Sequence, residues 1–127
     1  MEFIITAPRE SKKEIPPQKL KPEELRSIPG TGGDPLRALQ SLPGIATAGD
    51  FVAGLYARGG GPMDNLHLID RMPLPFPFHF GGLISTLNGN TLETVNLYPG
   101  GFTAEFGEST AAVLELKTRA PRADRWG

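Results

Sequence analysis

The chain has 127 residues, 39% of them apolar, and a formal net charge of −1. That length suits one domain with a modest core, and the near-neutral, evenly mixed charge leaves no basic face for nucleic acid. With no cysteine, disulfides and thiolate metal sites are excluded, and no apolar run approaches the roughly 20 residues of a membrane-spanning helix.

Sixteen glycines and thirteen prolines, about double their usual combined share, favour short elements and many turns. Met1 is followed directly by Glu2, with no basic and apolar leader, so no signal peptide is expected in this chain.

Glu2, Phe3, Ile4, Ile5, Thr6 and Ala7 form a short segment rich in β-branched residues, which favour extended backbone. Pro8 stops it. Two readings stand here: an edge strand or frayed end, and a strand that adds to a partner's sheet through backbone hydrogen bonds. Residues 1–14 are charged and proline-bearing, and a flexible arm is expected. Pro16 and Pro17 limit Ile15–Leu20 to an edge strand. Pro22, with Glu23 and Glu24 in the first turn, predicts a short helix over 22–27.

Asp34 is a cap for the best-marked helix. Pro35 suits its first turn, Leu36, Leu39 and Leu42 recur at three-residue spacing, and Pro43-Gly44 stops it. Ile45–Ala53 reads as a loop. Leu55–Arg58 and Leu66–Ile69 read as two strands joined by a glycine-rich turn at Gly59–Gly61, a hairpin-like unit. In Pro73–Gly89 the prolines exclude a central strand. Extended backbone there places Phe76, Phe78 and Phe80 on one side and His79 on the other. These phenylalanines either pack under a loop or form an exposed aromatic surface. Thr94–Tyr98 is a strand with Val95 and Leu97 on one face. Phe102–Phe106 suits one helical turn. Val113–Thr118 is the last strand, with Leu114 and Leu116 opposite Glu115 and Lys117.

Catalytic chemistry is hard to find. Two histidines without cysteine do not make a multi-ligand metal site, and His67, inside a strand, suits a hydrogen-bonded structural role. Gly59–Gly61 lacks the lysine and hydroxyl residue of a phosphate-binding loop, and no Gly-x-Ser-x-Gly elbow occurs. Asp70 with Glu105 or Glu115 could be imagined as a carboxylate pair, and His79 with Asp70 as a small active site, but no spacing joins either set. No enzyme and no cofactor are expected. Arg58 and Asp70 each end a short apolar strand, as surface charges or as groups that must be paired or wetted inside an enclosing partner.

Three stretches carry a family pattern in order. SLPGI (Ser41–Ile45), GLYARGG…DNLHLIDRMPLP (Gly54–Pro75) and LETVNLYPGGFTAEFGESTAAVLELKTR (Leu92–Arg119) resemble the plug domain of TonB-dependent outer-membrane receptors. Three departures stand out. Arg71 replaces the glycine after LID, Ala111-Ala112 replaces a glycine pair, and Tyr98-Pro99-Gly100-Gly101 replaces the common Arg-Gly-Pro. The resemblance implies an α+β fold: a small mixed four-stranded sheet with short helices and long loops, over residues 15–120, with 121–127 a frayed tail or a link to a missing barrel.

It also implies a function: occluding an outer-membrane β-barrel, absent from this chain, and gating energy-coupled uptake of a small-molecule substrate. Glu2–Ala7 would be the TonB box that contacts TonB's periplasmic domain. Family topology would turn two loops, Thr47–Ala53 with Asp50 and Phe51, and Pro75–Ile84 with Phe76, Phe78, His79 and Phe80, toward the substrate. Gly59–Asn65 would face the periplasm, and the domain would sit in the barrel lumen. The alternative is a stand-alone periplasmic binding or regulatory module of the same fold.

Overall fold

The computed structural model describes residues 15–47, 54–80 and 84–121. Its centre is an antiparallel pair, β8 (Leu92–Tyr98) and β9 (Val113–Thr118), with Val95 opposite Leu116 and Leu97 opposite Leu114. A register shift between Leu92 and Thr94 marks a bulge in β8. β1 (Gln18–Leu20) lies antiparallel on the outer edge of β8, at the edge position its two preceding prolines require. β4 (Leu66–Ile69) runs parallel to β9, and β5 (Met72–Pro73) folds back on β4. The sheet order is β1-β8-β9-β4-β5.

Strand alternation divides this sheet into two faces. Val95, Leu97, Leu114 and Leu116 point to one face and are at most 2% exposed. They form one cluster with Leu25 of α1 (Pro22–Arg26) and Leu36 and Leu39 of α2 (Pro35–Leu39). Burying each such leucine contributes roughly 1.5–3 kcal/mol, so two one-turn helices suffice to hold the layer. Asp34 starts α2: its Oδ1 accepts hydrogen bonds from the Leu36 and Arg37 amides, and its Oδ2 accepts one from the Ser85 amide. One carboxylate thus caps a helix and ties down a distant strand.

The mixed α+β fold agrees with the sequence reading, and four local expectations are corrected. The sheet has five strands, not four. Asp70 and Arg71 take φ of 47° and 69°, so the chain reverses tightly and Met72–Pro73 pairs with Leu68–Ile69. Leu55–Arg58 and Leu66–Ile69 do not pair with each other. β3 (Tyr56–Ala57) pairs with β2 (Ile45–Ala46), inside the stretch read as a loop, because a 3-10 turn at Pro62–Asp64 carries the chain away before β4 begins. The leucine-marked helix ends at Leu39. Ser41 and Leu42 then donate to Ala38 and Leu39, three residues back, and this tighter winding takes the chain out of the helix before Pro43. Finally, the phenylalanines of 76–80 do not share a side. Phe78 packs against the core, whereas Phe76 and Phe80 are 71% and 79% exposed. Only Phe78–His79 is strand, paired as β6 with β7 (Ile84–Ser85), and Phe80 has φ 52°, which breaks the alternation.

Candidate functional site

The aromatic loop is built on a fixed base. Thr86 donates from its amide and its hydroxyl to the Pro77 carbonyl, and the Asp34 carboxylate holds the Ser85 amide. Above this base Phe76, Phe80 and Ile84 project into solvent, and the Phe80 ring meets His79 edge-on at 6.4 Å. Phe78 anchors the loop to the core. Exposed rings on a braced hairpin make a contact surface. They offer no nucleophile or acid–base pair. Asp50 and Phe51, and all of Glu2–Ala7, lie outside the described residues.

The two strand-ending charges differ. Asp70 accepts hydrogen bonds from the Thr118 amide at 2.9 Å and hydroxyl at 2.6 Å. These bonds favour the ionised form and hold its carboxyl below the usual value. Arg58 lies exposed with φ 49°, and its guanidinium rests on Gly100, where a Cβ would stand 2.6 Å from Nη1. The glycine in the YPGG turn therefore makes a seat for an arginine from a remote strand end.

The imagined carboxylate pairs do not form. Asp70 is engaged by Thr118, Glu105 lies 4.0 Å from exposed Arg71, and Glu115 accepts from Asn96 Nδ2 at 2.9 Å. Among the described residues no group of three or more His, Asp or Glu side chains is placed to hold a metal.

Two features escaped the sequence reading. The first is the sheet face opposite the helices. Glu115 is only 7% exposed there, although alternation with Leu114 and Leu116 marks it as a solvent position. The chain from Gly101 to Glu108 returns over this face. Phe106 packs on Tyr98 at 5.4 Å and on Phe102 at 6.3 Å, walling a groove of about 750 Å³. Burial, then the nearby Glu115 carboxylate, raises the Tyr98 phenol above its ordinary pKa.

The second is a cavity of about 420 Å³ at the β4 edge, lined by Leu55, Met63, Leu74 and Phe78 with Asn65 and His67. Burial lowers the His67 imidazole to about 4. Its Nε2 has no hydrogen-bond partner among the described residues, contrary to the expected hydrogen-bonded histidine. The physical reason is register: His67 shares the core-side face of Leu114, where its neighbours are apolar. The mixed run LHLI contained the signal, a polar residue at a core-facing strand position.

The family model for the TonB-dependent receptor plug domain matches residues 12–113. The chain belongs to the TonB-dependent receptor plug domain family. Solved structures share the plug fold. The siderophore receptor PirA from Pseudomonas aeruginosa is similar with a TM-score of 0.62 at 17% identity, over 84% of this chain and 19% of that one. A variant of the ferric enterobactin receptor PfeA from the same organism, in complex with enterobactin, has a TM-score of 0.64 at 16% identity, over 87% of this chain and 18% of that one. The outer membrane transporter YddB from Escherichia coli has a TM-score of 0.62 at 18% identity, over 80% of this chain and 17% of that one. The plug domain described here thus spans less than a fifth of the length of these proteins. No curated protein sequence matches it.

Proposed function

We propose that this plug domain occludes an outer-membrane β-barrel and gates energy-coupled passage of a small-molecule substrate through it. The family match over residues 12–113 carries the reading. It is supported by a polar, charge-bearing surface that suits a water-filled lumen: Arg58, Arg71 and Glu105 lie exposed, and Asp70 at the end of β4 is held by the Thr118 amide and hydroxyl. No bond is made or broken in this role. The domain is held in the lumen, facing the periplasm, and it rearranges when TonB draws on its N-terminal arm.

Two surfaces have parts in this mechanism. The braced loop carrying Phe76, His79 and Phe80, seated by Phe78, faces the substrate together with Asp50 and Phe51. Glu2–Ala7 pairs as a strand with TonB's periplasmic domain, so its affinity rests on backbone hydrogen bonds more than on side-chain identity. Proline at Ile4 or Ile5 removes an amide donor and opposes strand pairing. In a titration, Ile4→Pro or Ile5→Pro abolishes binding to the TonB periplasmic domain while the circular dichroism of the plug is unchanged. Equal binding by both variants would remove the box from the mechanism.

A further inference from the structure

The strands β6 and β7 that carry the aromatic loop are two residues long each. A two-stranded ladder of that size is at best marginally stable on its own in water. On its inner side the Thr86 amide donates to the Pro77 carbonyl. The Ser85 amide donates instead to Asp34 Oδ2 at 2.8 Å, across 51 positions of sequence. Ser85 is buried, so this amide without a partner would be costly. The choice of aspartate at 34 follows from this bond. Its Oδ1 accepts from the amides of Leu36 at 2.9 Å and Arg37 at 3.2 Å. A helix cap needs only that one oxygen, and Asn or Ser supplies it about as well as Asp. The second acceptor is what a carboxylate adds. In Asn the other atom carries N–H donors, which would face the Ser85 N–H. The chain leaving β7 is pinned to the same helical layer. Arg26 Nη2 donates to the Gly89 carbonyl at 2.7 Å, and a Cβ on Gly89 would stand 3.3 Å from the Gly33 carbonyl oxygen.

We propose that Asp34 is a positioning residue for the loop's contact surface. Its second carboxylate oxygen, through the Ser85 amide, fixes the pose in which β6 and β7 present His79, Phe80 and Ile84. The value of that pose for substrate rests on the role given to the loop above, whereas the positioning itself does not. Capping α2 and holding β7 are two duties of one side chain, and substitution separates them.

Asp34→Asn and Asp34→Ser keep the cap and lose the second acceptor. In the 127-residue chain both lower the thermal midpoint less than Asp34→Ala, which loses the cap as well. Amide hydrogen exchange at Ser85 in Asp34→Asn rises about tenfold beyond any change at Leu97 and Leu114 of the central sheet, the worth of one hydrogen bond to a charged group. The chain has no cysteine, so a nitroxide label can be placed at one chosen residue. A label on Ile84→Cys gives narrower, more mobile lines in the Asp34→Asn background. A label on Met72→Cys, exposed on β5, gives the same lines with and without Asp34→Asn. An Ile84 label and a Ser85 exchange rate unchanged by Asp34→Asn would overturn the proposal. So would equal loosening at Met72, which would make residue 34 a general stabiliser, or loss of folding in both Asp34→Asn and Asp34→Ser. Neither readout involves substrate or barrel, so a failure of the gating role leaves this result untouched.

Discussion

His67 shows what one side chain does to the whole domain. Its neutral form is favoured in the folded state, because burial takes the ring from the ordinary 6.5 to about 4. Between these values the unfolded chain binds more protons than the folded one, so stability rises with pH across that window. The stabilisation is complete above about pH 6.5 and falls steadily on acidification, by up to about 3 kcal/mol at pH 4. Urea denaturation of the wild-type chain therefore shows this decline, and His67→Phe flattens it. A wild-type stability that is level from pH 7 to 4 would contradict the buried, neutral state.

Asp70 acts at lower pH. Its lowered carboxyl contributes stability that is present above the ordinary carboxylate range and lost below it. The two groups therefore leave separate marks on the pH profile. Only part of this was legible from residue types. Asp70 was readable as a strand terminator, but its bond to Thr118, far along the chain, depends on the parallel pairing of β4 and β9. The missing partner of His67 depends on the same pairing. Local sequence does not specify it, because parallel strands are joined by long connections.

At the level of elements, the fold tolerates departures from the family pattern by moving the strain elsewhere. Ala111-Ala112 stands where a glycine pair is usual, and both alanines are buried, 7% and 4% exposed. The space comes from Gly60 across the packing: a Cβ there would lie 2.4 Å from the Ala111 Cβ. Gly60→Ala thus costs about 1–3 kcal/mol by overpacking. The double variant Gly60→Ala with Ala111→Gly recovers most of it, as a thermal-unfolding cycle measures. Full additivity of the two single effects would show that the contact is not the cause.

Arg71 is a second case. It holds φ 69° without a glycine, next to Asp70 at 47°, and this pair of left-handed residues creates β5. Periodicity located the long strands well, because Val95, Leu97, Leu114 and Leu116 alternate onto one buried face. It located β3 within Leu55–Arg58 but missed its partner β2, and it missed β5 and β7, because the pairing of two-residue strands is set by turns and long-range packing. For the same reason the aromatic loop was found but its geometry was not. Pro77 is buried and Phe78 packs inward, while His79 stays exposed at the tip. In an intact receptor, Phe78→Ala weakens substrate binding by loosening the loop, and His79→Ala weakens it by removing a contact. Unchanged affinity in both would return the loop to a purely structural role.

At the scale of the molecule, the helix-covered face is a closed core, whereas the chain from Gly101 to Glu108 covers the other sheet face only in part and leaves a groove beside Tyr98 and Phe106. Among the described residues the exposed large apolar side chains are Ile15, Met63, Met72, Phe76, Phe80 and Ile84; Phe76, Phe80 and Ile84 gather on the aromatic loop, and the others stand on separate segments. That distribution suits a domain held loosely by a polar lumen better than one half of a tight dimer, whose interface is more apolar. The proposed role requires that this domain work inside a barrel of its own receptor. The most direct test is the native protein itself: outer-membrane and periplasmic fractions probed with an antibody against this chain. The expected result is one outer-membrane band several-fold heavier than the 13.7 kDa of this chain. A native protein of about that smaller mass in the soluble periplasmic fraction would contradict it and leave a free-standing binding module.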